Sequence, residues 1–203
     1  MFSLNGLILV VCAYFLGAIP FGYIVGKSKG IDIREHGSGN VGFTNVWRTL
    51  GLKLGLIVLA GDITKGFCAA MLGFNLLGIY GTLIGGLIAM LGHTFSIFIN
   101  LKGGKGVATG VGILLYISPQ TLLICAAVAI FLLVTTKYMS LGSIVGAWLA
   151  PILLYIFNEP VEYVLGIGVA AFFIICRHIP NIQRLMKGKE NKMEFSLRKH
   201  GGE

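Results

Sequence analysis

The sequence has few charged residues. Only 12% of its 203 residues are Asp, Glu, Lys or Arg, whereas 56% are hydrophobic, and the mean hydropathy is +0.86. Soluble proteins contain about 25% charged and about 45–50% apolar residues, and a soluble chain of this length could not bury the surplus apolar surface. The composition therefore indicates a polytopic membrane protein, and nothing in it indicates a separate soluble domain.

The sequence also lacks clusters of cysteine or histidine. Cys12, Cys68, Cys125 and Cys176 all lie in apolar segments, and none forms a C-x-x-C pair. The four histidines show no metal-ligand spacing, and acidic residues are sparse near the polar segments. This argues against a zinc site and against a disulfide framework. We expect inert thiols, no metal and no cofactor.

No Lys or Arg precedes the first apolar run, so we expect a retained first span and not a cleaved signal peptide. Apolar segments predict five full spans, at about 4–25, 50–72, 76–99, 141–157 and 161–176. Residues 107–136 are too long for one span and too short for two, and Ser118-Pro119 interrupts them. They predict two shorter helices in a hairpin that enters and leaves on one side.

The predicted fold class is therefore an all-α polytopic membrane protein with seven helices, five full spans plus a short-helix hairpin. It forms a single domain over 1–203 with a basic tail at about 184–203. With the amino terminus outside, every Lys and Arg except Lys65 falls on the cytoplasmic side, as the positive-inside rule requires. This topology explains the net charge of +8 without a nucleic-acid partner.

Three polar segments fall on that predicted cytoplasmic side. The first, residues 36–48, combines glycines, neutral hydrogen-bonding side chains and an arginine, which are Gly37, Ser38, Gly39, Asn40, Thr44, Asn45 and Arg48. Glycine-rich backbone can turn several N–H groups toward one point and so bind an anion. An arginine can donate two hydrogen bonds to the oxygens of a phosphate or carboxylate. The segment also matches G-x-G-x-x-G, but no βαβ unit fits between the spans, so a dinucleotide site is rejected.

The second segment leads directly into an apolar helix and predicts a phosphate cradle, built from Lys102, Gly103, Gly104, Lys105, Gly106 and Thr109. It is not a Walker A loop, because Ile99 stands where that pattern needs glycine and Gly106 where it needs serine or threonine. The alternative is a basic loop at the membrane interface.

The third segment begins at Arg177, and His178 and Asn181 share a face if the last helix continues through them. His178 is the histidine best placed to act as a base, and the alternative is a basic helix end anchored at lipid headgroups. His93 either contacts a ligand or bonds a neighbouring helix. Asp62 and Lys65 lie three residues apart and are expected to form a structural pair.

Together, these three segments resemble the signature motifs of the PlsY family, the bacterial acyl-phosphate:glycerol-3-phosphate acyltransferases, over nearly the whole chain. The resemblance implies a seven-helix enzyme of the bacterial inner membrane. It would transfer a fatty acyl group from acyl phosphate to glycerol 3-phosphate, giving lysophosphatidic acid and phosphate in the first step of phospholipid synthesis. Its partners would be these substrates and the lipid bilayer, with transient contact to a soluble acyl-phosphate-producing enzyme left open.

By motif position, the resemblance assigns catalytic roles to Ser38, Arg48, His178 and Asn181. It assigns the second phosphate site to Lys105 and the glycines around it, and a structural role to Glu190. Pro180 departs from the family pattern, which has an acidic residue there, and a proline predicts a bend between His178 and Asn181.

Acyl-CoA-using glycerol-phosphate acyltransferases carry a His-x-x-x-x-Asp motif. The sequence lacks it, because neither Asp32 nor Asp62 has a histidine five residues before it. A second interpretation is a small anion transporter or binding protein of the inner membrane, which would explain broken helices and intramembrane charges. It does not explain three polar segments on one side.

Overall fold

The structure is a computed structural model, and it describes residues 4–193. Part of the predicted basic tail, 194–203, lies outside the described residues. Regular structure in the described range is helical, which confirms the predicted fold class. The α-helices are α1 (Leu4–Ala18), α2 (Phe21–Lys27), α3 (Phe43–Leu50), α4 (Leu52–Thr94), α5 (Val107–Ile117), α6 (Pro119–Thr136), α7 (Met139–Ile156), α8 (Val161–Arg177) and α9 (Ile179–Met186).

Helix α4 folds back on itself and accounts for two of the predicted spans. Its backbone leaves helical geometry at Leu77 and Gly78, where Gly78 has a φ of +63°. Gly73 and Gly81 then bring the two arms into contact, since a Cβ on Gly73 would lie 1.9 Å from the carbonyl oxygen of Gly81. Small residues of this kind let helices approach closely in a membrane.

The helix count differs from the prediction for local reasons. Pro20 divides the first span into α1 and α2, while the second and third spans form one kinked helix. Two short helices, α3 and α9, were not predicted as separate elements. Four helical segments are long and apolar enough to cross a membrane, and α8 with α9 adds a fifth, bent by 57°. One of the four is the folded-back α4.

The predicted hairpin is present but asymmetric. Helix α5 has 11 residues and is too short to span, whereas α6 has 18 and is long enough by itself. Helix α5 starts beside Lys105. Lys137, just after α6, accepts a hydrogen bond of 2.8 Å from the backbone N–H of Met193. Met193 also lies against Arg48, so both ends of the hairpin reach the same end of the molecule.

The apolar core lies where α4 and α5 meet α6, α7 and α8, with Met90, Ile113, Leu154 and Ile167 among its buried side chains. Other large apolar side chains point outward. Leu123, Phe131, Tyr155 and Phe172 are between 65% and 75% exposed. A soluble protein would not leave such a surface uncovered, but a lipid bilayer covers it.

Candidate active site

The first motif is held together by one buried side chain, Asn45 of α3. Its amide nitrogen donates to the backbone carbonyls of Ile33, at 3.1 Å, and His36, at 2.9 Å. Its Oδ1 accepts from the backbone N–H of Ser38 at 2.8 Å. Gly37 has a φ of +60°, and a Cβ there would lie 2.3 Å from Asn45 Oδ1. Asn45 therefore shapes the loop that carries Ser38.

Arg48 lies in the last turn of α3, one turn beyond Thr44 on the same helix face. Its Nη2 is 3.5 Å from the sulfur of Met193, so much of its hydrogen-bonding capacity is available to a ligand. Asn40 accepts from the backbone N–H of Gly42 at 2.8 Å. Ser38, Asn40, Thr44 and Arg48 all line one cavity.

The second motif packs against the end of α4. The backbone N–H of Gly103 donates to the carbonyl of Thr94 at 2.9 Å, and that of Gly104 donates to the carbonyl of His93 at 3.1 Å. Gly106, with a φ of +86°, is the N-cap of α5. This geometry places Lys105 at the amino end of a helix, where positive potential favours anions.

Lys105 connects the second and third motifs, since its ammonium donates to the Oδ1 of Asn181. Burial lowers the pKa of Lys105 to about 8. Glu190 acts in the opposite direction, while Arg184, Arg177 and Arg48 lower the pKa further. The lysine is therefore charged at neutral pH and loses that charge in mildly alkaline solution.

The third motif begins at the bend between α8 and α9, where Pro180 occupies the first turn of α9. A bend of 57° is present, but it lies at His178, where α8 ends, and α9 continues through Pro180 and Asn181. It does not separate the two predicted residues. His178 is 3% exposed, Asn181 is 6% exposed, and both line the cavity.

The imidazole of His178 is neutral at physiological pH. Burial lowers its pKa to about 4, the charge of Lys105 acts in the same direction, and the backbone carbonyl of Ile174 opposes both. Its Nδ1 lies 2.8 Å from that carbonyl oxygen. A neutral imidazole must donate there, because a carbonyl only accepts, and Nε2 is left as the acceptor nitrogen.

Glu190 joins the third motif to α7. Its carboxylate accepts from Asn181 Nδ2 at 2.7 Å, from Arg184 Nε at 2.7 Å and from Ser140 Oγ at 2.9 Å. Burial raises the pKa of Glu190, but these three hydrogen bonds outweigh it and lower the pKa overall. An ionised Glu190 fixes the amide of Asn181, whose oxygen then faces Lys105.

These groups surround the polar end of a cavity of about 930 Å³. The cavity continues between α5, α6, α7 and α8, where its walls are apolar. Small residues on α6 and α7, among them Ala126, Ala129, Gly146 and Ala150, leave space for a ligand, and Leu114 and Ile167 line the opposite side. The site thus combines a cationic end with an apolar groove, as an amphiphilic ligand requires.

Some predicted residues do not line this cavity. Gly39 and Lys102 line a separate open depression of about 370 Å³ with Arg34 and Glu35. Gly103 and Gly104 pack against His93. Thr109 is fully buried, and its backbone contacts Gly66. Among residues 4–193, no group of three His, Cys, Asp or Glu side chains is placed to hold a metal ion.

Sequence reasoning missed Arg177 and Ser140 as members of the site. Arg177 lines the cavity, and its guanidinium lies 5.8 Å from the centre of the Phe95 ring. The position of Arg177 directly before His178 could have identified it as a site residue. Ser140 lies in the first turn of α7, and only the fold brings it to Glu190.

The fold and the site define a multi-pass helical membrane protein with a cationic site at one end and an apolar groove between its helices. This chain belongs to the glycerol-3-phosphate acyltransferase family, whose pattern matches residues 7–188. The family predicted from the three motifs is therefore confirmed.

Relatives and solved structures agree over nearly full length. The chain is 48% identical to the glycerol-3-phosphate acyltransferase of Fusobacterium nucleatum, across 92% of this chain and 97% of the relative. It is 42% identical to that of Bacillus subtilis, across 93% and 97%. The crystal structure of PlsY, an integral membrane glycerol 3-phosphate acyltransferase, in its glycerol 3-phosphate form superposes with a TM-score of 0.89 at 40% identity, covering 93% of this chain and 95% of that one. The lysophosphatidic acid form of PlsY superposes with a TM-score of 0.87 at 39% identity, with the same coverage of both chains.

Proposed function

We propose that this protein transfers a fatty acyl group from an acyl phosphate to glycerol 3-phosphate, forming lysophosphatidic acid and inorganic phosphate. The observation that carries the proposal is the continuity of one cavity. Ser38, Arg48, Lys105 and His178 line its polar end, and the same space extends between α5, α6, α7 and α8 as an apolar groove. The activity named for the relatives suits this cavity, and so do the ligands of the two similar crystal structures, glycerol 3-phosphate and lysophosphatidic acid.

Each polar component suits a phosphate-bearing substrate. Arg48 offers a planar fork for two phosphate oxygens, and Lys105 adds a point charge at the amino end of α5. Ser38 and Thr44 add hydroxyl groups along the same wall. The apolar groove accommodates the acyl chain, so that its carbonyl group lies where groove and polar end meet.

In the proposed reaction, a hydroxyl oxygen of glycerol 3-phosphate attacks the carbonyl carbon of the acyl phosphate. A new ester bond forms, the bond between that carbon and the phosphate oxygen breaks, and phosphate leaves with the bonding electrons. Phosphate is a good leaving group, so most of the rate enhancement comes from holding the two substrates together. Donors near the developing oxyanion, such as Lys105, contribute further.

The hydroxyl proton has two potential acceptors, Nε2 of His178 and a phosphate oxygen. A base with a pKa of about 4, as His178 has, takes a proton less readily than a phosphate group whose second pKa is about 6. We therefore assign the proton to a substrate phosphate oxygen. His178 then acts as a neutral hydrogen-bond acceptor that orients the attacking hydroxyl.

The proposal also includes location. We propose that the end that carries the site faces the cytoplasm and that the protein lies in the inner membrane of a bacterial cell. The distribution of Lys and Arg between the predicted loops supports this orientation, since cytoplasmic loops are rich in these residues. A soluble enzyme that produces acyl phosphate would then meet the protein at this face.

The direct test measures phosphate release by the purified protein in lipid, with palmitoyl phosphate in the presence and absence of glycerol 3-phosphate. We expect phosphate release that requires glycerol 3-phosphate, with lysophosphatidic acid formed in equal amount. Folded protein that shows no turnover with acyl phosphate would reject the donor. Transport of glycerol 3-phosphate into vesicles, without turnover, would favour the transporter instead.

A further inference from the structure

Helix α4 carries three polar side chains to which the proposed reaction assigns no role, although two of them, Asp62 and His93, line the wall of the same cavity. Asp62 and Lys65, both on its first arm, are each 2% exposed, and His93, near the end of its second arm, is 6% exposed. Lys65 Nζ lies 2.7 Å from Asp62 Oδ1 and 2.8 Å from His93 Nδ1. Charged side chains in a membrane-spanning helix are costly, so their presence there points to a functional role.

The contacts of Lys65 determine how His93 is protonated. Besides its contacts with Asp62 and His93, the ammonium donates to the backbone carbonyl of Ile19 at 3.0 Å. The contact with Asp62 is an ion pair by distance, since Asp62 Oδ1 accepts no hydrogen bond of good geometry. An ammonium has N–H donors and no acceptor. His93 Nδ1 must therefore accept. Its distance to Asp62 Oδ1 is longer, 3.4 Å. The neutral imidazole then carries its proton on Nε2.

The opposite edge of the same ring contacts the second motif. A Cβ on Gly104 would lie 2.0 Å from His93 Nε2, and one on Gly103 would lie 2.0 Å from the His93 carbonyl oxygen. The N–H groups of Gly103 and Gly104 donate to the carbonyls of Thr94 and His93. The ring and backbone at the end of α4 thus fix the turn that immediately precedes Lys105.

We propose that Lys65 is a positioning residue for the phosphate cradle, acting through the orientation of His93 on the Gly103–Gly104 turn and so on Lys105. The inference rests on the proposed function for its effect on turnover. Lys65 also ties the cradle to the break between α1 and α2, since Ile19 lies between Ala18 and Pro20. Its contacts connect three segments that are far apart in sequence.

The first test needs no variant of Lys65. Nitrogen-15 solid-state NMR of the full-length protein in lipid bilayers reports which ring nitrogen of each histidine carries a proton, and single His→Gln variants assign the four signals. We expect His93 to be neutral, with its proton on Nε2. A proton on Nδ1, or a charged imidazolium, would overturn the proposal whether or not the enzyme turns over.

The second test replaces Lys65→Met, which keeps the apolar stem and removes the ammonium. We expect a mixture of His93 tautomers and a higher KM for at least one phosphate-bearing substrate, palmitoyl phosphate or glycerol 3-phosphate. The loss in kcat/KM should reach up to about a hundredfold, with kcat falling less than kcat/KM. The same tautomer and the same KM values in a folded variant would overturn the proposal.

Thr82→Val is the matched control. Thr82 is fully buried in the same helix, and its hydroxyl donates to the carbonyl of Gly78 at 3.3 Å, next to the kink and far from the cradle. This variant should change thermal stability only, with the His93 signal and both KM values unchanged. If Lys65→Met does not fold, Lys65→Gln replaces it with the same expected results, because a neutral amide can either donate or accept and no longer fixes the tautomer of His93. Wild-type protein with the expected tautomer but no acyl transfer would reject the proposed function alone.

Discussion

Lys105 gives the sharpest test of the site, because its pKa of about 8 lies within the range of an enzyme assay. The free protein needs this positive charge to attract a phosphate, and kcat/KM reports ionisations of the free enzyme. The lysine is charged below that pKa and neutral above it. We therefore expect kcat/KM to fall to about half at pH 8 and to about one tenth at pH 9, relative to its plateau near neutral pH.

Lys105→Arg separates this effect from ionisation of the substrates. Arginine stays charged at these pH values, so the variant should lose the alkaline decline even if its maximal rate is lower. Lys102→Arg is the matched control from the same motif. Lys102 is exposed and lines the separate depression, so this change should leave the alkaline decline in place. Phosphate release and lysophosphatidic acid formation, measured in parallel in lipid, give the profiles. An identical decline in wild type and Lys105→Arg would refute the reasoning.

Three further predictions concern the motifs. Arg48→Ala should lower kcat/KM roughly ten- to a hundredfold in initial-rate assays, because hydrogen bonds to charged groups contribute about 1.5–3 kcal/mol; near-normal turnover would remove Arg48 from the site. Gly104→Ala should raise KM more than it lowers kcat, because its Cβ would lie 2.0 Å from His93 Nε2 and must displace the ring; unchanged KM values for both substrates would count against the cradle. Single cysteines at Ser38 and Asn181 should react with impermeant thiol reagents from the cytoplasmic side only, in a variant without the four native cysteines, and labelling from opposite sides would contradict the topology.

The spans could be predicted because the requirement that determines them is simple. Long apolar segments have to cross the bilayer, and Pro20 and Pro119 interrupt them at points visible in the sequence. The turn within α4 was expected between 72 and 76, but it falls at Leu77 and Gly78, inside the predicted third span. Helices α3 and α9 were harder to predict. Each has only eight residues, and isolated helices of that length are marginal in water. They depend on packing at the end of the bundle, which the sequence does not reveal.

The site could be located from the sequence, but the partners of its side chains could not. The composition of the polar segments and their position between the spans identified Arg48, Lys105 and His178 as candidate site residues. The sequence does not reveal that the amide of Asn45 is fully engaged with the backbone of its own loop. It also does not reveal that Ser140 reaches Glu190 across fifty positions, since such contacts depend on tertiary packing alone.

The charge balance at the polar end explains why a carboxylate lies in a site for anions. Arg48, Lys105, Arg177 and Arg184 all line the cavity, and Glu190 lies among them. Without a nearby negative charge, these four positive charges would repel one another and push the third motif away from the second. Glu190 binds Arg184 and the amide of Asn181, whose oxygen accepts from Lys105, and these contacts hold the cluster together before substrate binds. Three positive charges remain in excess, which suits two phosphate-bearing substrates whose negative charge must be neutralised at the edge of an apolar groove.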